Sequence, residues 1–184
     1  MRRRVLAGAV LAAVLVALTL AFAVQPAPAA QHRERVILSS LESSVLARLN
    51  LIREAHGLVP LRLSVPLTEA ASQHSLEMGS DGYFAHSSFD GTTYWKRIKT
   101  WYVWQGYRFW SVGENLLWSA PSVDSAQALR LWMRSPEHRA NILNPVWREI
   151  GISAVHEAAA PGAFDGRGVT IITTDFGTRL SAAG

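Results

Sequence analysis

The chain has 184 residues and no cysteine, with 49% hydrophobic residues and a formal net charge of +4 at pH 7. This length suits one domain with a continuous core, and the lack of cysteine excludes disulfides, a thiol nucleophile and cysteine-ligated zinc. Three of the 18 basic residues are Arg2, Arg3 and Arg4, so 15 basic residues stand against 14 acidic ones beyond residue 30. This near balance gives no support to a nucleic-acid partner.

The N-terminal segment has the pattern of an export signal. Met1–Arg4 is basic, Val5–Val24 is apolar and uncharged, and small residues follow up to Ala30. The apolar stretch of 20 residues would also span a bilayer as a helix of about 30 Å. We therefore expect a signal peptide or N-terminal membrane anchor over 1–30 and a domain over 31–184. The protein would then be secreted or held at the cell envelope, and would contact a membrane only through this segment.

Apolar residues at helical spacing predict two helices in the first half of the domain. The first is expected over residues 35–56. Residues 58–64 are predicted to form a short extended connector, and Ser64 with Pro66 supplies start signals for the second helix. That helix is expected to end at the glycine-containing segment 79–82.

The middle of the chain is rich in aromatic residues. Residues 83–91 are predicted to form a loop, 94–99 a short amphipathic segment, and 101–110 an extended segment. Core and sheet packing is one explanation of the aromatic residues, and an apolar groove for a lipid or a surface for glycan stacking is the alternative. The residues concerned are Tyr94, Trp95, Trp101, Tyr102, Trp104, Tyr107, Phe109 and Trp110.

The last third of the domain predicts two helices followed by two strands. Ser122 is a candidate cap for a helix over 123–134, and Ser135-Pro136 begins a second, short helix. Runs rich in β-branched residues at 149–155 and 169–176 predict an antiparallel strand pair. Helices first and strands last indicate an α+β fold with a small antiparallel sheet.

Three residues are candidates for a functional site. His86 lies in a polar loop, Glu114 follows a glycine that would let the backbone approach another element, and His138 begins a short helix. Because they are 28 and 24 residues apart, no local spacing marks them as a metal or catalytic site. Loop hydrogen bonds for Glu114 and a helix first-turn contact for His138 are equally good structural explanations. His74 is predicted to be a partly buried core residue from its helical spacing, and the other histidines are predicted to lie at the surface.

A series of motifs in order along residues 40–178 resembles bacterial, cysteine-free members of the CAP superfamily, the SCP-domain proteins. The motifs are Leu49-Asn-Leu-Ile-Arg53, Gly57-Leu-Val-Pro-Leu61, His74-Ser-Leu-Glu-Met78, Tyr83-Phe-Ala-His-Ser87, Gly113-Glu-Asn115, Trp132-Met-Arg-Ser-Pro-Glu-His-Arg-Ala-Asn-Ile-Leu143, Glu149-Ile-Gly151 and Thr174-Asp-Phe-Gly177.

The resemblance implies an α-β-α sandwich with a small, mainly antiparallel central sheet and a cleft where two histidines and two acidic residues meet. By motif, His86 and His138 match the two histidines and Glu114 matches one glutamate. These three would be the catalytic or metal-binding residues, with Zn²⁺ or another divalent cation as the cofactor. The position of the second glutamate holds Ser135, and Glu137 is a nearby substitute.

The resemblance favours a binding module in the extracellular space or cell envelope. Its partner would be a small apolar ligand, such as a lipid or sterol-like molecule, or a cell-wall component, and we expect a monomer. The alternative is a metal-assisted hydrolase, a protease or esterase, that acts at the envelope. In that case two imidazoles and one carboxylate would hold zinc with an open position for water.

Overall fold

The computed structural model describes residues 37–181, so the predicted leader lies outside the described residues. Five α-helices, one short 3-10 helix and four strands form within that range. The helices α1 to α5 span Ser40–Ala55, Val65–Asp81, Tyr94–Trp101, Ser125–Arg134 and Pro136–Ile142. The strands β1 to β4 span Arg62–Leu63, Tyr107–Ser119, Glu149–Ala160 and Arg167–Ser181, and the 3-10 helix Gly162–Phe164 precedes β4.

The four strands of the described range form one sheet in the order β1-β3-β4-β2. The short β1 runs parallel to β3, and both neighbours of β4 run antiparallel to it. The predicted strand pair is present as β3 and β4, which are longer than expected. The prediction of an α+β fold with a small, mainly antiparallel sheet is confirmed.

Helices cover both faces of this sheet. Helix α2 packs on β3 and β4 with α3 beside it, whereas α1, α4 and α5 cover the opposite face. Alternation along the strands divides the buried side chains between the two faces. Ile150, Ile152, Ile172 and Phe176 belong to the core under α1 and α4, and Leu67 of α2 belongs to a second core with α3. The result is the predicted α-β-α sandwich.

Two helices begin later than the sequence predicted. Helix α1 starts at Ser40 rather than residue 35, because Ser39 and Glu42 form a reciprocal capping box. Helix α4 starts at Ser125 because Asp124, not Ser122, is its N-cap and accepts a bond of 2.7 Å from the amide of Gln127. In both cases a side chain that satisfies first-turn amides fixes the boundary.

The prediction of an extended segment over 101–110 is wrong in its first half. Trp101 is the last residue of α3, and strand geometry begins only at Tyr107. The indole of Trp110 donates to the carbonyl of Tyr102 at 2.8 Å, which closes the intervening turn. Aromatic composition alone did not distinguish the end of a helix from the start of a strand.

Strand β2 is an edge strand, yet two of its carbonyls are bonded by side chains from the helices. The indole of Trp132 in α4 donates to the carbonyl of Leu116 at 3.0 Å, and the amide of Asn141 in α5 donates to that of Glu114 at 3.0 Å. These carbonyls are two residues apart and therefore lie on the same side of the strand. The helices thus fix the position of β2 along its length.

Residues 37–181 belong to one compact unit that contains every element of the sheet and all the core clusters described above. A protein that starts at residue 31 therefore carries the complete hydrophobic core. Within residues 37–181, no helix combines the length and apolar character needed to cross a bilayer.

Candidate functional site

The candidate site is built around the middle of β2, where Gly113 brings the strand close to α5. A Cβ atom on Gly113 would lie 2.7 Å from Oδ1 of Asn141 and 2.9 Å from the Trp147 ring, so only glycine fits. The sequence argument that this glycine permits a close approach is confirmed. Glu114 therefore lies in a strand, and the alternative that placed it in a loop is wrong.

The Glu114 side chain is almost fully buried, and both carboxylate oxygens are occupied. Oε2 forms an ion pair with Nη2 of Arg97, which is itself buried on α3. Oε1 accepts a hydrogen bond of 2.8 Å from Nδ1 of His86. With a bond at each oxygen and only 1% of the side chain exposed, Glu114 is poorly accessible to a further ligand.

His86 is held by three separate contacts. The ring donates through Nδ1 to Glu114, and Nη1 of Arg97 donates to the His86 carbonyl at 3.1 Å. On the preceding residue, Nε2 of His74 donates to the carbonyl of Ala85 at 2.9 Å. The His86 side chain remains 53% exposed, and bonding at Nδ1 leaves Nε2 directed away from Glu114.

His74 and Asp175 form a buried second layer beneath this contact. His74 is fully buried on α2, which confirms its predicted place in the core, and burial lowers the pKa of its ring. Asp175 lies opposite Glu114 on β4 and is also fully buried, with no hydrogen-bond partner for either carboxylate oxygen. Burial raises the pKa of Asp175 well above its ordinary value, and the neighbouring Glu114 charge raises it further.

His138 reaches the site from α5. The side-chain amide of Asn115 donates to the His138 carbonyl at 3.1 Å, and Asn141 donates to Oδ1 of Asn115 at 3.0 Å. Burial lowers the pKa of His138, and the positive charge of His86 lowers it further. The two imidazoles are therefore close enough to affect each other electrostatically.

The three residues predicted from the sequence meet in one cleft. It has a volume of about 320 Å³ and adjoins a second cavity of about 410 Å³. Both cavities share His86, Glu114 and Asn141. The first is also lined by Glu137 and His138, and the second by Tyr94 and Trp147. Ser135 does not line either cavity, whereas Glu137, the proposed substitute for the missing glutamate, does.

The geometry does not fit zinc with Glu114 as a ligand. Both oxygens of this carboxylate are engaged, and residues 37–181 contain no group of three histidine, aspartate or glutamate side chains arranged to hold a metal ion. The donors that remain available in the cleft are Nε2 of His86, the ring of His138 and the carboxylate of Glu137. A zinc centre stays a prediction of the sequence, and the catalytic role of the three residues stays one as well.

Sequence reasoning did not single out Arg97, Asp175 or Asn141. Arg97 lies in the basic run 96–99, which looks like a solvent-exposed face, but the helix places it beside the buried Ile98. Asp175 lies within the buried run 169–178 of β4, and a charged residue in such a run is itself a signal of a special environment.

Residues 46–165, well over half of the chain, match the model of the cysteine-rich secretory protein family, CAP. Two proteins of Bacillus subtilis (strain 168), the uncharacterized membrane protein YlbC and the uncharacterized protein YkwD, are each 29% identical, over 129 and 122 residues. The matches cover 70% and 66% of this chain but only 36% and 45% of those relatives.

Solved structures agree with the family match. An extracellular protein with an SCP domain from Bacillus anthracis str. Ames aligns with a TM-score of 0.56 and 27% identity, over 73% of this chain and 39% of that one. An outer surface protein from Borrelia burgdorferi shares the fold, with a TM-score of 0.61 and 20% identity over 78% of this chain and 96% of that one. The sandwich, the ordered motifs and the family match lead to one conclusion: this chain belongs to the cysteine-rich secretory protein (CAP) family.

Proposed function

We propose that the chain is an exported binding module of the cell envelope, and that its polar cleft between His86 and His138 takes a cell-wall component. The leader pattern at residues 1–30 supports export, as do the descriptions of the similar structures as extracellular and outer-surface proteins. The observation that carries the binding role is the engagement of Glu114 by Arg97 and His86.

That engagement favours binding over catalysis. A general base must have a free lone pair within hydrogen-bond reach of the proton it removes. Both oxygens of Glu114 already accept a bond and its side chain is only 1% exposed, so a substrate cannot reach it. Its main effect is to hold the His86 ring in one orientation. The cleft then offers a ligand the oriented imidazole of His86, the ring of His138 and the carboxylate of Glu137, which suits a peptide or glycan with several polar groups.

Purified peptidoglycan is the probe for this proposal. We expect residues 31–184 to sediment with it, and we expect His86→Ala and His138→Ala to reduce the bound fraction at least tenfold. His156→Ala is the matched control, because His156 is an exposed histidine on β3 outside the cleft. Equal binding by all four proteins would refute the cleft as the binding site.

The same samples test the alternative, a metal-assisted hydrolase. A hydrolase would release soluble fragments over time, and chelation would stop the release. A binding module would leave the peptidoglycan intact with or without chelator.

A groove between α1 and α4 supports a second candidate, an apolar ligand. Its volume is about 360 Å³, and aliphatic side chains line most of it: Leu51, Ile52, Ala126, Leu129 and Met133. Arg48 and Arg130 complete the lining, so the ligand would be an apolar chain with an anionic head group.

A fluorescent fatty acid tests this second site. Ala126→Trp places a large side chain at the groove and should abolish fatty-acid binding while it leaves peptidoglycan binding unchanged. Binding that survives this substitution would exclude the groove.

A further inference from the structure

The outward side of α3 carries a cluster that the cleft does not use. The aromatic-basic patch consists of Trp95, Lys96, Lys99 and Trp104. Trp95 and Trp104 are 41% and 46% exposed, which is unusual for the residue with the largest apolar side chain. No part of the proposed cleft explains why these rings face solvent.

Cation-π contacts make the patch continuous. The ammonium group of Lys96 lies 5.5 Å from the Trp95 ring centre, and that of Lys99 lies 5.1 Å from the Trp104 ring centre. Trp95 and Lys99 are four residues apart on the helix and so lie on the same side. The arrangement places two cations and two indole rings together on one surface.

The basic residues at the surface of segment 91–113 have no acidic neighbour within it. Residues 91–113 include the at least partly exposed Lys96, Lys99 and Arg108, the buried Arg97 that pairs with Glu114, and no acidic residue. The same segment holds four of the seven tryptophans and three of the four tyrosines of the chain. Indole rings and lysines together suit the interface of a membrane, where the ring enters the head-group region and the ammonium group meets anionic phosphate.

We propose that the aromatic-basic patch docks onto the surface of an anionic phospholipid membrane. This contact goes beyond the proposed function, and it adds a membrane-binding surface in the folded domain to the one expected from residues 1–30. Tyr94 lines the cavity that adjoins the cleft and directly precedes Trp95. Docking through α3 would therefore hold the cleft next to the bilayer.

Vesicle sedimentation with residues 31–184 tests the proposal without the leader. We expect binding to vesicles that contain phosphatidylglycerol and little binding to pure phosphatidylcholine vesicles. The double variant Lys96→Gln/Lys99→Gln should weaken binding about 30-fold, and 1 M salt should weaken it as well. Trp95→Ser/Trp104→Ser should reduce binding to a similar degree and remove most of the blue shift in tryptophan emission.

Arg62→Gln/Arg134→Gln is the matched control, because both arginines are exposed and lie outside the patch. Circular dichroism checks that each variant is folded, and peptidoglycan sedimentation reports separately on the cleft. Absence of vesicle binding, or equal loss in the control variant, would overturn the proposal. The proposal would also be wrong if the protein bound peptidoglycan instead of vesicles and this binding depended on Trp95 and Trp104. The patch would then be a surface that stacks on glycan.

Discussion

Glu114 and Asp175 lie directly opposite each other on adjacent antiparallel strands, and both side chains are buried on the same side of the sheet. Only Glu114 has a cationic partner, Arg97, whereas Asp175 has no hydrogen-bond partner. Two ionised carboxylates in such a place would repel each other, so the folded state favours the neutral form of Asp175.

Asp175→Asn should therefore stabilise the protein at neutral pH. The folded protein binds a proton at Asp175 at pH values where the unfolded chain, with an ordinary pKa of 3.8, does not. Stability then falls as pH rises from that value to the raised folded-state pKa, by up to about 1.4 kcal/mol per pH unit. Asparagine has no proton to lose, so the difference should be smallest near pH 4 and largest at neutral pH. Urea unfolding across pH 4–8 measures it, and parallel stability curves for the two proteins would contradict the prediction.

Glu114→Gln should destabilise the protein by about 3 kcal/mol, because it leaves the buried Arg97 without its counter-charge. The exposed ion pair between Arg167 and Asp165 provides the control, and Asp165→Asn should change stability by less than about 0.5 kcal/mol. Urea unfolding at pH 7 compares both variants with the parent. Equal effects at the two sites would mean that the buried pair is not a stabilising contact.

His138 should titrate below its ordinary pKa of 6.5, and His86→Gln should raise that pKa. Burial is the main cause of the lowering and would persist in the variant, but the repulsion from the His86 charge would be lost. Because the folded-state pKa lies below the unfolded one, His138 also reduces stability as pH falls below 6.5. NMR titration of the imidazole protons measures both effects. An unchanged His138 pKa in the variant would show that the two rings are not close in solution.

Zinc should bind weakly to residues 31–184, since Glu114 is engaged and the two imidazoles and the Glu137 carboxylate do not form a preset group of three ligands. Calorimetric titration should give one site per chain, and His86→Ala or His138→Ala should each abolish it. His156→Ala should bind like the parent protein. If the parent gives no heat, the cleft holds no metal centre. Tight binding would mean that a carboxylate joins the two imidazoles, either Glu137 or a Glu114 released from Arg97.

Local signals predicted much of the fold. Ser64 and Pro66 correctly placed the start of α2, Ser135 and Pro136 that of α5, and β-branched residues marked β3 and β4. The start of α1 was misplaced although the Ser39 and Glu42 capping pair is visible in the sequence. The apolar periodicity extends N-terminally beyond Ser39, whereas the helix begins only where the capping box satisfies its first-turn amides.

The site was predicted only in part, because its supporting contacts join residues far apart in the chain. His86, Glu114 and His138 were identified through their motifs, but only the fold shows that the three residues line one cleft. Arg97 and Asp175 make their main contacts across 17 and 61 residues, with Glu114 in both cases. No periodicity or local motif encodes such a pairing, so the buried charge network became visible only in three dimensions.

The side-chain bonds along β2 have a consequence for self-association. An edge strand of 13 residues presents backbone groups on which a strand of another molecule can add, which is a common start of aggregation. Trp132 and Asn141 occupy the carbonyls of Leu116 and Glu114 that such a strand would use. The helix that carries His138 therefore also blocks this edge against the growth of an intermolecular sheet.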